Sequence, residues 1–347
     1  MIDLAITVHL LALTDDTGLA QHARHHFVDR SHGYCLDDNA RAVTVMCRLA
    51  HLRTLSATEQ HALTAYAAFL DHSFDRQTRH FRNFMTYDRR WLDEEAAEDA
   101  CARAVHALCV MIAMPPQEWM RVWGRDLLEA VLPRLHELAS PRSWSLVLTG
   151  LDILLRNSSP WREAEQLREQ LAHELLQRWR DAVQPAWPWF EDGLAYDNGR
   201  LAEAAITAGT VLGMADLRGA GLSALQALWD WQYDGQVFHP VGTHNFGRRH
   251  QLPCRFDQQP IEAHAMVDGC LAAASSGADT ALWRERADIA MAWFFGRNDL
   301  GRALVEPEKG LCHDGLHEDR MNANAGAEST LAYIGAFLSM ASLERQR

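Results

Sequence analysis

Two adjacent carboxylates, Asp37 and Asp38, lie at the start of an expected helix in the stretch GYCLDDNARA. Glycoside hydrolysis uses two carboxyl groups, one as the acid and one as the base or nucleophile. Because the helix dipole favours an ionised carboxylate at a helix start, we expect Asp38 to be the base. The acid needs a raised pKa, which burial or a neighbouring carboxylate supplies. The candidates for the acid are Glu262, Asp192 with its neighbour Glu191, and Glu328.

Each of these carboxylates has a structural alternative. Asp and Asn side chains cap helices by accepting hydrogen bonds from unpaired backbone N–H groups, and they also join neighbouring helices. Arg41, Arg103 and Arg200 follow their carboxylates by about one helical turn, a pattern that favours ion pairing within the fold. Among the candidates, Asp38 and Glu262 are our first-choice catalytic pair, and Asp192 is the reserve.

The elements that must position these residues are almost all helices. Apolar residues recur at three- and four-residue spacing along most of the chain and predict about a dozen helices, with Val237–Pro240 as one short strand. Six helix starts recur at intervals of roughly 45 to 65 residues, which is long enough for a hairpin of two antiparallel helices. They lie at Asp37, Glu98, Ser140, Asp197, Gln259 and Asn324. The pattern predicts an all-α fold, an (α/α)6 toroid or barrel of six helical hairpins, with residues 1–347 as a single domain.

In such a toroid the six inner helices run parallel, so we expect their starts at one end, around a ligand site. Aromatic residues lie in the loops before several starts, and an aromatic ring can stack on the apolar face of a sugar. Tyr34, Trp189 and Tyr196 are candidate platforms of this kind. The residues predicted to bind substrate are Tyr34, Asp37, Asn39, Asp99, Trp189, Glu191, Asp197, Asn324 and Glu328.

Composition excludes several classes of partner. The net charge of −13 argues against nucleic acid or an anionic membrane, because both need a basic surface. We expect Met1–Leu13 to be the first helix rather than a signal peptide, and no apolar run is long enough to span a membrane. The seven cysteines include no CxxC pair and indicate buried thiols of a reduced compartment, so we predict a cytoplasmic protein.

Eight motifs together resemble a bacterial family of six-hairpin, glycosidase-like proteins whose members are often labelled glycosyltransferases. The motifs are HLLALTDDTG, GYCLDDNARA, FRNFMTYDRRW, EDACARA, WFEDGLAYDNGRL, FDQQPIEAHAM, WFFGRNDLG and NANAGAESTLAY. The resemblance implies an (α/α)6 barrel and a glycan-related role, but no particular reaction. It also implies, as a candidate partner, a glycosyltransferase or another carbohydrate-active enzyme of the same pathway. After Glu98 and Asp99 the chain has Ala-Cys-Ala where the family has Ser-His-Gly.

Our first hypothesis is a glycoside hydrolase that acts on a small oligosaccharide without a metal or cofactor. Phosphorolysis and transglycosylation remain alternatives, because they differ from hydrolysis only in the attacking group. A sugar epimerase or isomerase is a second enzyme class, in which His264, His313 or His317 would act as acid and base. Cys254, Cys312 and His313 are a minor candidate zinc set. A glycan-binding or scaffold module beside a glycosyltransferase is the non-enzyme alternative.

Overall fold

The computed structural model describes residues 4–157, 160–249 and 251–344, and these residues contain twelve α-helices. The helices are α1 (Val8–Ala12), α2 (Leu36–Leu52), α3 (Ala57–Ser73), α4 (Glu98–Ala113), α5 (Glu118–Val131), α6 (Pro141–Asn157), α7 (Arg162–Ala182), α8 (Gly199–Val211), α9 (Ala215–Gln232), α10 (Pro260–Ser275), α11 (Thr280–Phe294) and α12 (Ala327–Glu344). Two short 3-10 helices cover Leu4–Thr7 and Leu132–Glu137.

The strands of the described residues are all two residues long. They are β1 (Ala23–Arg24), β2 (Phe27–Val28), β3 (Tyr34–Cys35), β4 (Phe74–Asp75), β5 (His80–Phe81), β6 (Phe84–Met85), β7 (Val305–Glu306) and β8 (Leu311–Cys312). β1 pairs with β2, β4 with β5, and β3 with β6, each antiparallel. The strand expected at Val237–Pro240 is only an isolated bridge between Phe238 and Tyr233.

All six predicted helix starts are confirmed, as the beginnings of α2, α4, α6, α8, α10 and α12. Pro141 and Pro260 occupy the first positions of α6 and α10, where a missing backbone N–H costs no hydrogen bond. The expected first helix is shorter than predicted, because Leu4–Thr7 forms a 3-10 turn and α1 ends at Ala12. Met1–Asp3 lies outside the described residues.

The described residues form two compact units by their internal contacts. The first unit runs up to Arg168 and adds Pro307–Leu311 and Asn324–Leu331. Within it, α4 packs between α2 and α6, while α3 packs on α2 and α5 on α4. The inner faces of α2 and α4 are closely packed: Ala40 and Ala42, and Ala102 and Ala104, are fully buried. Small side chains at these positions allow the neighbouring helices to approach closely.

The second unit comprises Glu169–Glu306, Cys312–Ala323 and the residues from Ala332 onward. In it α8 packs against α9 and α10, and α10 packs against α11. Gly199, the first residue of α8, has no room for a side chain, because an added Cβ atom would lie 2.5 Å from the carbonyl oxygen of Ala265 in α10. This close approach places the start of α8 directly beside the first turns of α10.

Candidate active site

The start of α2 is tied to the loop before α4. Cys35 in β3 pairs with Phe84 in β6, and the side-chain oxygen of Asn83 accepts hydrogen bonds from the N–H groups of Leu36 and Asp37 at 3.0 and 3.3 Å. Free N–H groups at a helix start require such acceptors. The position of Asp37 is therefore set by a residue from another hairpin, which sequence reasoning did not select.

Asp38 is buried and lies in a mixed electrostatic environment. Its Oδ1 atom lies 3.0 Å from Nη1 of Arg41, and the Cys35 thiol donates to its Oδ2 atom at 3.3 Å. Burial raises the pKa of Asp38 to about 7, while the Arg41 guanidinium opposes that shift and the charges of Glu328 and Asp37 add to it. This raised pKa differs from the expectation that the helix start favours the ionised form of Asp38, because loss of hydration favours the neutral carboxyl group.

Two arginines complete the cluster of carboxylates in the first unit. Arg41 binds Asp38 with one terminal nitrogen and Glu328 with the other, each at 3.0 Å. Arg103, itself buried, donates from Nε to Asp37 at 2.9 Å. The side chains of Asp37 and Glu328 are 28% and 34% exposed, whereas that of Asp38 is 8% exposed. The cluster therefore combines one largely buried carboxyl group with two that are more exposed.

Several predicted binding residues of the first unit support the fold instead. Asn39 is fully buried, accepts from the N–H of Leu19 at 2.9 Å and donates to the carbonyl of Cys35 at 2.8 Å. Tyr34 is 1% exposed, and its hydroxyl donates to Asp15 at 2.6 Å. Neither side chain offers a free face to a sugar in this conformation.

The other two predicted residues of this unit have polar partners. Asp99 accepts a hydrogen bond from the Ser143 hydroxyl at 2.6 Å, so it joins the starts of α4 and α6. Asn324 accepts from the N–H of His25 at 3.2 Å and is half-buried. Asn324 therefore remains accessible in part, while Asp99 performs a structural task.

In the second unit, Glu262 accepts hydrogen bonds at the start of α8. Its carboxylate binds the N–H of Asp197 at 2.6 Å, the N–H of Asn198 at 3.3 Å and the Asn198 side-chain amide at 3.0 Å. Burial raises the pKa of Glu262 to about 7, and the hydrogen bonds from Asn198 oppose that shift. Glu262 thus caps α8 from the first turn of α10, as the structural alternative predicted.

The same type of contact recurs at a third helix start. Glu98 in α4 accepts from the N–H groups of Ala139 and Ser140, directly before α6, at 2.9 Å. Asn83, Glu98 and Glu262 therefore each cap a neighbouring helix. Part of the recurrence of acidic and amide residues at the helix starts reflects this architectural need rather than chemistry.

The remaining carboxylate candidates of the second unit differ in exposure. Asp197 is 3% exposed, in a left-handed backbone conformation, and lies 3.7 Å from Nε of Arg200. Asp192 is 86% exposed and binds Arg249 at 2.9 Å. With Glu191, Asp192 lines a cavity of about 550 Å³ that also includes Arg178. An exposed, ion-paired Asp192 lacks the burial that a catalytic acid of raised pKa requires.

Trp189 is completely buried against Phe190 and Trp231, at ring-centroid distances of 5.9 and 6.2 Å. It is therefore a core residue, and a sugar ring cannot stack on it in this conformation. The sequence around Trp189, the motif WFEDGL, does not distinguish a tryptophan that binds sugar from one that lies in the core.

The histidine candidates occupy two different environments. The Nδ1 atom of His317 lies 2.7 Å from Oδ1 of Asp257, and Nε2 of His244 lies 3.5 Å from Oδ2 of the same carboxylate. His264 lies 3.0 Å from Asp268. Sequence reasoning missed Asp257, although it stands inside the FDQQPIEAHAM motif.

The candidate zinc ligands bind protein groups. The Cys254 sulfur accepts from the N–H of Asn245 at 2.9 Å, and the Cys312 thiol points to the carbonyl of His313 at 3.4 Å. Among the residues that the structure describes, no group of three or more His, Cys, Asp or Glu side chains is arranged to hold a metal ion. None of their helices is long and apolar enough to cross a membrane.

Comparison with solved structures identifies the fold. A sugar epimerase from a ruminal bacterium matches with a TM-score of 0.73 at 13% identity, over 99% of this chain and 97% of that one. The chain has the (α/α)6 fold of six helical hairpins. A D-mannose isomerase matches this barrel with a TM-score of 0.70 at 12% identity, over 97% of this chain and 95% of that one. The fold class predicted from the sequence is confirmed, and so is the (α/α)6 fold that the resemblance implied.

A third match to the barrel is an inactive variant of an α-1,6-mannanase from a Salegentibacter species, in complex with α-1,6-mannotriose. Two adjacent aspartates of that enzyme are replaced by asparagine. It matches with a TM-score of 0.63 at 10% identity, over 98% of this chain and 97% of that one. No protein-family model and no curated protein matches the sequence. By their names, these three proteins are carbohydrate-active and belong to two reaction classes, hydrolysis and isomerisation or epimerisation.

Proposed function

We propose that the protein is a glycoside hydrolase that cleaves a small oligosaccharide with Asp37 and Asp38 as its two reacting carboxyl groups. The observation that carries this proposal is the contrast between these neighbours. Asp38 is buried with a pKa of about 7, whereas Asp37 is partly exposed and bound by the Arg103 guanidinium. Two carboxyl groups in different environments are what acid and base roles require.

In the proposed reaction, protonated Asp38 donates its proton to the glycosidic oxygen as the bond to the anomeric carbon breaks. Asp37, as the carboxylate, either removes a proton from the attacking water or attacks the anomeric carbon itself. The negative charge left on Asp38 is then stabilised by Arg41, 3.0 Å away. The replacement of two adjacent aspartates in the inactive mannanase supports a role for an adjacent pair.

This proposal revises the roles expected from the sequence. Asp38 becomes the acid rather than the base, and Asp37 replaces Glu262 as its partner, because three hydrogen bonds engage Glu262 as a cap of α8. Glu328, 34% exposed beside Arg41, and Asn324 remain proposed sugar-binding residues.

The experiment that tests the proposal is a screen of manno-, gluco- and galacto-oligosaccharides, with and without phosphate. Mass spectrometry would measure the product length, and NMR would identify the anomer formed first. We expect shorter products from the wild type and none from Asp37→Asn or Asp38→Asn. Turnover that requires phosphate would replace hydrolysis by phosphorolysis. Wild-type turnover by both variants would contradict the site assignment.

A second candidate function is sugar epimerisation or isomerisation, favoured by the pair of His317 and Asp257. A carboxylate that binds Nδ1 orients the imidazole and leaves Nε2 to exchange a proton with a substrate. The match to a sugar epimerase and a mannose isomerase supports this reading.

Free monosaccharides in deuterated water test this second function. Deuterium at C2 of the recovered sugar, lost in both His317→Asn and Asp257→Asn, would support it. Sugars recovered without deuterium would contradict it.

The wider setting also remains a proposal. We keep a cytoplasmic location, a single domain over residues 1–347, and a glycosyltransferase or another carbohydrate-active enzyme as a partner. All seven cysteines are free thiols in the structure, and five of them are buried, which fits a reduced compartment. Binding of oligosaccharides without turnover would favour the glycan-binding module instead.

A further inference from the structure

An exposed apolar row crosses the short strands of the first unit. Cys35 in β3 lies opposite Phe84 in β6, and the N–H of Leu92 donates to the carbonyl of Phe84 at 2.9 Å on the other side. Side chains that lie directly opposite each other on antiparallel strands project from the same face. Cys35, Phe84 and Leu92 therefore stand in one row, of which Phe84 and Leu92 are 44% and 67% exposed.

The buried end of this row contacts Asp38 of the proposed catalytic pair. The Cys35 sulfur accepts from the N–H of Asp38 at 3.4 Å and its thiol donates to the Asp38 carboxyl at 3.3 Å. Neighbouring strands lie about 4.8 Å apart, so Phe84 is one strand spacing from Cys35 and Leu92 is two. The row of Cys35, Phe84 and Leu92 therefore extends from the buried Asp38 to the solvent-exposed surface.

The backbone that carries Phe84 is held firmly. The carboxylate of Asp93 accepts hydrogen bonds from the N–H groups of Asn83 and Phe84 at 2.8 and 2.9 Å. The side chain of Asn83, in turn, caps α2 at Leu36 and Asp37. An exposed aromatic side chain on a fixed backbone, one strand away from the residue that contacts Asp38, is pre-organised to bind a ligand at little cost in entropy.

We propose that Phe84, with Leu92 beside it, is the platform on which a sugar stacks that lies one residue beyond the two sugars joined by the cleaved bond. This inference rests on the proposed hydrolase and specifies its substrate class as neutral oligosaccharides of three or more sugars. The apolar face of a sugar ring covers the Phe84 ring, while the sugar beyond it reaches Leu92. A protein partner is a poorer occupant, because stable protein interfaces bury about 800 Å² on each side and two side chains supply a small part of that.

The test compares Phe84→Ala with Phe84→Trp and with Trp119→Ala, a matched control on α5 whose side chain is also exposed. Turnover would be measured along the mannose, maltose and cellobiose series from disaccharide to pentasaccharide. We expect Phe84→Ala to lower kcat/KM for trisaccharides and longer substrates by about tenfold, the effect of losing one aromatic contact, and to leave disaccharides unchanged. Phe84→Trp and Trp119→Ala should behave as the wild type. An equal loss at every length, or no loss, would overturn the platform.

Binding separates failure of the platform from failure of the hydrolase. Saturation-transfer NMR with mannotriose, maltotriose and cellotriose detects binding without turnover. Trisaccharide binding that weakens in Phe84→Ala, in a protein that cleaves nothing, would keep the platform and reject the hydrolase. Cleavage and binding that Phe84→Ala leaves unchanged would reject the platform and keep the hydrolase. A wild type that neither binds nor cleaves any of these sugars would overturn both.

Discussion

Arg41 lies one helical turn after Asp38 in α2, and its Nη1 atom is 3.0 Å from the Asp38 carboxyl. The other terminal nitrogen of the same guanidinium binds Glu328 at 3.0 Å. One partly buried cation therefore pairs with two carboxyl groups from different hairpins of the first unit. Because Asp38 shares its counter-ion and is itself buried, its proton is held more tightly than that of an exposed aspartate.

Replacement of the proposed acid should stop turnover without unfolding the protein. Asp38→Asn keeps the size of the side chain but removes the proton that is donated, so we expect kcat on an identified oligosaccharide to fall by about a thousandfold. The melting temperature should change little or rise, because a buried carboxyl group is replaced by a neutral amide. Steady-state kinetics and thermal unfolding of the same preparation measure both quantities.

An exposed aspartate supplies the matched control for that variant. Asp126 on α5 is exposed, and Asp126→Asn makes the same chemical change away from the cluster. Its kcat should equal that of the wild type. If Asp38→Asn were as active as Asp126→Asn, Asp38 would not be the acid.

The pH dependence of turnover should follow Asp38. The acid is active in the protonated form, and its pKa of about 7 means that kcat falls as the pH rises through about 7. Arg41 opposes the upward shift, so Arg41→Gln should move this alkaline limb to higher pH. A pH–rate profile of the wild type and of Arg41→Gln measures the alkaline limb in each protein. If this limb lies at the same pH in both, it reports the titration of a group other than Asp38.

Stability should also depend on pH in a defined direction. Burial raises the pKa values of Asp38 and Glu262 to about 7 in the folded protein, above those of ordinary carboxyl groups. The folded state therefore binds these protons more tightly, and the stability they contribute at acidic pH is lost as the pH rises through about 7. The melting temperature should therefore fall as the pH is raised from acidic values to about 7. This fall should be less steep in Glu262→Gln than in the wild type. A steeper decline in that variant would contradict the assignment.

Glu262 provides a test that separates capping from catalysis. Glu262→Ala leaves the N–H groups of Asp197 and Asn198 without their buried acceptor, so we expect a loss of about 3 kcal/mol in the free energy of unfolding. Glu262→Gln keeps one acceptor oxygen and should retain both most of the stability and the wild-type kcat. Denaturant unfolding and kinetics measure the two effects. Abolished turnover in a stable Glu262→Gln would restore Glu262 as a catalytic residue.

Gly33 should be intolerant of substitution. It adopts a φ of +68°, and an added Cβ atom would lie 2.2 Å from the carbonyl oxygen of Met85 in β6. Gly33→Ala should therefore separate β3 from β6, lower the free energy of unfolding by about 2 kcal/mol and reduce turnover, because this pair precedes Asp37 and Asp38. Gly213→Ala is the control, since it has a similar φ of +67° with no atom within 4 Å. Equal losses in the two variants would show that φ strain alone is responsible.

The sequence by itself determined the fold class and where the six helix starts lie. Three- and four-residue periodicity and capping residues are local signals, so α2, α4, α6, α8, α10 and α12 begin at or near the predicted positions. The adjacent pair of Asp37 and Asp38 was likewise visible as a helix start that carries two carboxylates.

Only the tertiary structure decided what individual side chains do. The sequence predicts Glu262 as a catalytic acid. In the structure Glu262 accepts hydrogen bonds from Asp197 and Asn198, more than sixty residues away, and so caps α8. The sequence predicts Trp189 as a platform for sugar, whereas the structure shows it completely buried in the core. The pKa of Asp38 depends first on burial, then on the charge of Arg41, and then on that of Glu328 from the last hairpin. Hydration, burial and charge depend on which distant residues meet, and no local pattern in the chain encodes those meetings.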